Sequence, residues 1–425
     1  MSQQYKKTAL DNGLRIVGHQ MRDRQSVALG IWINAGSRYE PDRFKGISHF
    51  LEHLVFKGTK KYSCRNLKES IEGVGGALNG FTSEELTCYL VKIPGRHLEL
   101  ALGILSDMVI NPSLPESEIE KEKQVILEEI KMYKDQPASY VYELLDGLLW
   151  PNQPLGAPII GTVESVSRIT RQDLSLFRQE YYTPANIVIS AAGLLEFDKL
   201  ARGVAKLFSR RRKQNINTFS RVKEGQHSPQ LNVFHKDTEQ THMALGFHAF
   251  KRNHPLRHAV GILHVILGAN MSSRLFNELR EKRGLAYEIG TLVKRYQDTG
   301  AFMVHAGIDN RKVPEAVRLI LKELQRCKYE ALNFAEFRRA KEFYLGQLML
   351  ALEDTLDHML WIGETTATLD KTYSLEEIIK EVNKIKREDV REVARRIFRK
   401  ENLNLALIGP LKEREEEVRK ELSIH

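Results

Sequence analysis

The stretch GISHFLEHLVFKGT, Gly46 to Thr59, decides how the rest of the chain is read. Its apolar residues, Ile47, Phe50, Leu51, Leu54, Val55 and Phe56, recur at helical rather than alternating spacing. On a helix, His49 and His53 stand four residues apart, and Glu52 stands three from His49. Steps of three and four fall on one face. Two imidazoles and a carboxylate therefore share a face opposite an apolar one. Two histidines so placed can bind one metal ion, and a glutamate beside them can act on water at that ion. By itself the pentapeptide also suits an ordinary amphipathic helix with a polar outer side.

Length and composition set the frame. A chain of 425 residues implies two to three domains and a sizeable core. Hydrophobic residues make up 42% and charged residues 28%, as in an ordinary globular chain. The formal net charge of +9 is spread over the whole length. Its densest run, Arg210-Arg211-Arg212-Lys213, lies in a polar stretch without interleaved aromatics, which argues against nucleic acid as a partner. The N-terminal residues MSQQYKKTALDNGLRIV carry no apolar segment of the secretory type. No window approaches the roughly 18 uninterrupted apolar residues of a membrane span. Cys64, Cys88 and Cys327 are far apart and form no CxxC pair, which excludes a cysteine-based zinc site and fits a reducing compartment. The expectation is a cytoplasmic protein with no membrane segment.

Taken in order, the first half reads as strands (14–19 and 27–34), the helix of the opening stretch, a helix (65–74), strands (77–81 and 86–92), then mostly helices. Among these is a long helix over 116–133, then another over 139–149. A strand (186–192) and a helix (196–208) close the half. Residues 209–230 are polar and basic and read as a linker. Beyond it the order recurs: strands 231–234 and 243–250, helices 257–268 and 274–283, strands 287–296 and 301–308, a helix 313–327 and a late strand 402–408. The expected fold is α+β, with two similar domains, 1–208 and 231–425, each an antiparallel sheet packed against helices. Where the first copy has HFLEH, the second has AVGILHVILG, without the second histidine or the glutamate. One copy carries a metal motif and the other does not.

A catalytic zinc needs a third protein ligand and an open position. The long helix offers Glu118, Glu122, Glu128 and Glu129, and spacing alone does not choose among them.

A resemblance narrows the choice. GSRYEPDRFKGISHFLEHLVFKGT, followed by ALNGFTSEELTCYL and EKQVILEEIKM, resembles the pitrilysin or insulinase family of inverted zinc peptidases. The likeness is to its short bacterial members, related to the mitochondrial processing peptidase, and extends over nearly the whole chain. It implies His49, His53 and Glu129 as zinc ligands, the last about 76 positions after His53. Glu122, seven positions earlier, matches a glutamate that supports the site. Glu52 is implied as general base. In LFNELREKRGLAYEIG, Arg280 and Tyr287 match a pair that holds substrate and the oxyanion. Asn79, Gly80 and Phe81 match a strand edge where an extended peptide docks; Gly80 stands where many relatives have alanine. The resemblance further implies one zinc per chain, a peptide or unfolded polypeptide substrate, and a homodimer whose active site is shared between subunits.

Three other readings compete. His242, His248, His254, His258 and His264 crowd the start of the second half, but Pro255 disfavours helical geometry at His254 and no carboxylate stands nearby. A non-catalytic scaffold or partner subunit would be marked by a broken motif, and here every motif residue is present. A hydrolase of small amides has no use for an extended strand edge.

Overall fold

The computed structural model describes residues 5–209 and 218–422. The basic run Arg210 to Lys213 lies outside the described residues, as does part of the linker expected over 209–230. Two compact units form, each from three pieces of chain. The first comprises Met1–Lys131, Pro158–Ser220 and Met349–Ile378; the second comprises Met132–Ala157, Arg221–Leu348 and Ile379–His425. The sequence reading divides the chain once. The packing adds two exchanges to that division. The helix Pro137–Leu149 precedes the linker but belongs to the second unit, and the helix Thr355–Leu369 follows it but belongs to the first. An apolar stripe on a helix does not specify which sheet it will cover, so spacing carries no sign of either exchange.

The first unit is built on six strands: β1 (Lys6–Ala9), β2 (Arg15–Gln20), β3 (Ser26–Ile33), β4 (Ala77–Thr82), β5 (Thr87–Pro94) and β6 (Ile187–Gly193). They lie in the order β1-β2-β6-β3-β5-β4. All pairs are antiparallel except β2 with β6. That strand returns after a long helical excursion, which frees it from hairpin geometry. The inner strands β3 and β6 are buried along nearly their whole length. At the edge, β4 alternates between exposed and half-buried residues. One sheet face is covered by the helices of the first half. The other receives Thr355–Leu369, whose Met359 and Ile362 pack with Val17, Ala28, Trp32 and Val188.

The second unit repeats the plan with β7 (Gln230–His235), β8 (Gln240–Ala249), β9 (Ala286–Arg295), β10 (Gly300–Asp309) and β11 (Asn404–Gly409), in the order β7-β11-β8-β10-β9. Again one pair is parallel, β11 with β7. Leu145 and Leu149 of Pro137–Leu149 pack with Ala244, Met303 and Ala406. The segment expected as a helix over 274–283 takes a π-helical form over Phe276–Glu281, with the Lys282 amide bonding back five residues to the Asn277 carbonyl. Among the described residues, no helix is long and apolar enough to cross a membrane.

Candidate active site

The helix carrying HFLEH runs from Ile47 to Val55. It starts from Gly46 at φ +92°, where a Cβ would sit 2.5 Å from the Ile160 carbonyl oxygen. Only glycine takes that conformation without strain. The Glu40 carboxylate accepts the amides of Gly46 at 2.7 Å and Ser48 at 2.8 Å. A helix leaves such first-turn amides without partners of its own. Ile47, Phe50, Leu51, Leu54 and Val55 are fully buried. Each such side chain contributes roughly 1.5–3 kcal/mol. With that face anchored, His49, Glu52 and His53 are held on the other.

The long helix, Glu116–Asp135, buries Ile119, Glu122, Ile126 and Ile130. Glu122 and Glu129 lie along this stripe by steps of three, four and seven. On the outer side Glu118, Glu120 and Glu128 pair with Lys121, Lys123 and Lys131 at 2.7, 3.0 and 2.7 Å. Of the four glutamates that spacing leaves open, Glu122 and Glu129 are the two that meet the histidines.

Nε2 of His49 and Nε2 of His53 lie 3.9 and 3.8 Å from Oε2 of Glu129. One ligand atom from each of the three residues lies within 4.8 Å of the others, and among the described residues no other three His, Cys, Asp or Glu gather so closely. Ligand atoms around a tetrahedral zinc sit about 3.4 Å apart. The two histidine–glutamate separations exceed that by about half an ångström, and the donor set, two imidazoles and a carboxylate, is one that zinc takes. Burial, and then the neighbouring His53, pull His49 down to about 3, so its ring stays neutral with a lone pair to offer. Burial pushes Glu129 and Glu52 upward, with His53 opposing in both cases.

Around this centre, Nδ1 of His53 is 3.1 Å from Oε2 of Glu122. Thr82, at the end of β4, donates from Oγ1 to Glu52 Oε2 at 3.3 Å. Asn79 and Phe81 are exposed on β4, and Phe81 meets Trp32 edge-on with ring centroids 5.8 Å apart. Gly80 has a packing reason to lack a side chain: a Cβ there would sit 2.9 Å from the Phe56 ring.

In the second unit the π-helical segment and Gly284, at φ +58°, bring Arg280 and Tyr287 together. The Arg280 guanidinium lies 5.1 Å from the Tyr287 ring centroid and 4.7 Å from that of Phe276. Tyr287 is 75% exposed, so its hydroxyl is accessible. The competing histidines scatter. His258 lies between the Tyr344 hydroxyl and Glu381, His264 bonds Thr291 at 2.7 Å, and His254 stacks on Phe250.

Sequence reasoning missed Glu40, Thr82 and Lys57, whose Nζ is 2.5 Å from Glu122 Oε1. Glu40 is six residues before Gly46, outside any helix-start pattern. Only Lys57, one turn past His53, left a local trace.

The sequence profile described as Insulinase (Peptidase family M16) matches residues 15–163, and that described as Peptidase M16 inactive domain matches residues 168–344. The chain belongs to peptidase family M16. An uncharacterized zinc protease of Bacillus subtilis, YmxG, is 38% identical to this M16 chain over 405 residues, 95% of this chain and 98% of the relative. An uncharacterized zinc protease of Mycobacterium bovis is 34% identical over 408 residues, 95% and 93% of the two chains. The crystal structure of a protease from Helicobacter pylori shares the fold, with a TM-score of 0.88 at 24% identity over 96% of this chain and 100% of that one. The resemblance to the insulinase family is borne out. The relatives' names support a zinc protease of the M16 type. The metal motif falls under the first profile, and Arg280 and Tyr287 under the one named inactive.

Proposed function

We propose that this M16 chain is a zinc-dependent endopeptidase hydrolysing peptides or unfolded polypeptide segments. The observation that carries the reading is the convergence of His49, His53 and Glu129 to within 4.8 Å. Glu52 is buried between the same two histidines in sequence. Zinc held by those three side chains would polarise the scissile carbonyl and make water acidic enough to lose a proton near neutral pH. Glu52 takes the proton from the attacking water and delivers it to the leaving amine. Thr82 holds one oxygen of that carboxylate, leaving the other for the transfer. Glu122 accepts Nδ1–H of His53, so that Nε2 presents its lone pair.

The outer edge of β4 carries no partner strand among the described residues. An extended peptide adds there through main-chain hydrogen bonds, with Asn79, Gly80 and Phe81 along its path and little selection over side chains. Arg280 and Tyr287 donate to the negative charge that develops on the carbonyl oxygen. In this reading the protein is a homodimer enclosing a chamber. Each site takes its zinc ligands from one chain and its Arg280 and Tyr287 from the second copy.

Metal analysis together with hydrolysis of a quenched fluorescent peptide tests the reading. About one zinc per chain is expected, with activity lost on chelation and regained on adding zinc. His49→Ala, His53→Ala and Glu129→Ala lose the metal, whereas Glu52→Gln keeps it and loses activity. A Glu52→Gln protein with wild-type turnover would remove the general-base role. Full activity in metal-free protein would remove the whole reading.

A further inference from the structure

The contacts that lead outward from the metal trio do not end at Glu122. Lys57 stands four residues past His53, just beyond the last residue of its helix. Its ammonium is 2.5 Å from Oε1 of Glu122, while Oε2 of the same carboxylate is 3.1 Å from Nδ1 of His53. The Glu122 side chain is 7% exposed. A carboxylate that buried is costly without a cation against it. One of its oxygens is held by an ammonium and the other by an imidazole. His49 is secured differently. Its Nδ1 is buried and has no hydrogen-bond partner among the described residues. Of the two rings, His53 is the one that an outer group orients.

We propose that Lys57 is a positioning residue for the zinc site. It anchors Glu122 through Oε1, so that Oε2 meets Nδ1–H of His53 and holds the ring in the tautomer whose Nε2 lone pair faces Glu129. The inference rests on His49, His53 and Glu129 being the ligands. Two effects of removing Lys57 oppose each other. A cation near a dication repels it, so its loss favours zinc on Coulomb grounds. That repulsion is blunted because the Glu122 carboxylate stands between Lys57 and the histidine. Loss of orientation, by contrast, acts on a ligand directly, and outer partners of ligating histidines typically govern 10–100-fold in metal affinity. Orientation wins, and removing Lys57 weakens zinc binding.

The test measures zinc affinity by competition with a chromophoric chelator on full-length protein, and the His53 tautomer of zinc-free protein by nitrogen NMR. Lys57→Met is expected to bind zinc about 10–100-fold more weakly, with less of the Nδ1–H tautomer at His53. Lys57→Arg, which keeps the charge and a donor, restores both. The same substitution is also made in a Glu122→Gln background, which carries no buried anion and so tolerates the loss of the cation if Lys57→Met alone fails to fold. Because Lys57 acts through Glu122, the double variant is no worse than Glu122→Gln. Zinc binding by Lys57→Met as tight as wild type or tighter, an unchanged tautomer, or an additive loss in the double variant overturns the proposal. Wild-type protein that fails to bind zinc overturns the functional reading instead.

Discussion

Glu40 accepts the Gly46 amide at 2.7 Å and the Ser48 amide at 2.8 Å, completing the first turn of a helix to which it does not belong. Burial pushes its carboxyl up to about 7, against the pull of those two amides. A folded-state pKa raised above the ordinary 4.5 means that the bound proton stabilises the fold. The contribution is full below 4.5 and is lost as the pH rises through about 7. At about 1.4 kcal/mol per unit, the swing is on the order of 3 kcal/mol. The urea midpoint of wild-type protein should therefore fall more steeply over this window than that of Glu40→Gln. Parallel curves would show that Glu40 does not titrate with folding.

His264 and His358 titrate in the opposite sense. Burial, first among the causes, pulls each down to about 4. Their contribution to stability is full above the ordinary 6.5 and is lost as the pH falls through about 4. His358 is fully buried, with Nδ1 against the Leu352 carbonyl and Nε2 against the Tyr5 hydroxyl. His358→Gln should lower stability at neutral pH but flatten its decline in acid. A variant that unfolds along the wild-type acid curve would show that other groups set that limit.

Gly80→Ala tests the packing of the edge strand. The added methyl meets the Phe56 ring, and such overpacking costs about 1–3 kcal/mol. Phe56→Leu opens the space, so the loss should shrink when both changes are combined. Thermal melts of the four proteins close a double-mutant cycle; strictly additive losses would mean that Phe56 is not what excludes the methyl.

Subunit mixing tests the shared site. His53→Ala and Arg280→Ala should each be nearly inactive, since a lost oxyanion donor alone costs roughly 10²-fold or more in turnover. In a mixed dimer, one site would combine intact zinc ligands from the second variant with an intact Arg280 from the first. Partial recovery of peptide hydrolysis is expected. Verified subunit exchange without recovery would mean that each site is built within one chain.

Local pattern carried much of this site. The three- and four-residue steps of HFLEH give the shared face directly, and the strand over 77–81 and the helix over 257–268 appear as Ala77–Thr82 and Arg257–Gly268. The long helix was harder. Val125 and Tyr133 count as apolar positions by spacing, yet they are 48% and 43% exposed, while the charged Glu122 is buried. A helix whose buried stripe includes carboxylates is misread by hydrophobic pattern, because their partners lie on another helix. Family register picks Glu129, and the lysine pairs at Glu118, Glu120 and Glu128 show physically why the outer glutamates are elsewhere. Glu40 reaches the Gly46 and Ser48 amides from outside the helix, Lys57 meets Glu122 on another helix, and helical spacing reads neither contact. The exchanged helices are invisible for a similar reason: an apolar face states that it will be covered, not by what.

That exchange has a consequence for how the chain is made. Met359 and Ile362 complete the cluster over β3 and β6, so the first sheet keeps one bare apolar face until the ribosome has released the helix ending at Leu369. The second sheet waits longer still, for β11, which lies between β7 and β8. The first unit cannot finish while only the first half has been made, and a gene split at the linker would yield two fragments, each carrying a helix that belongs to the other's unit.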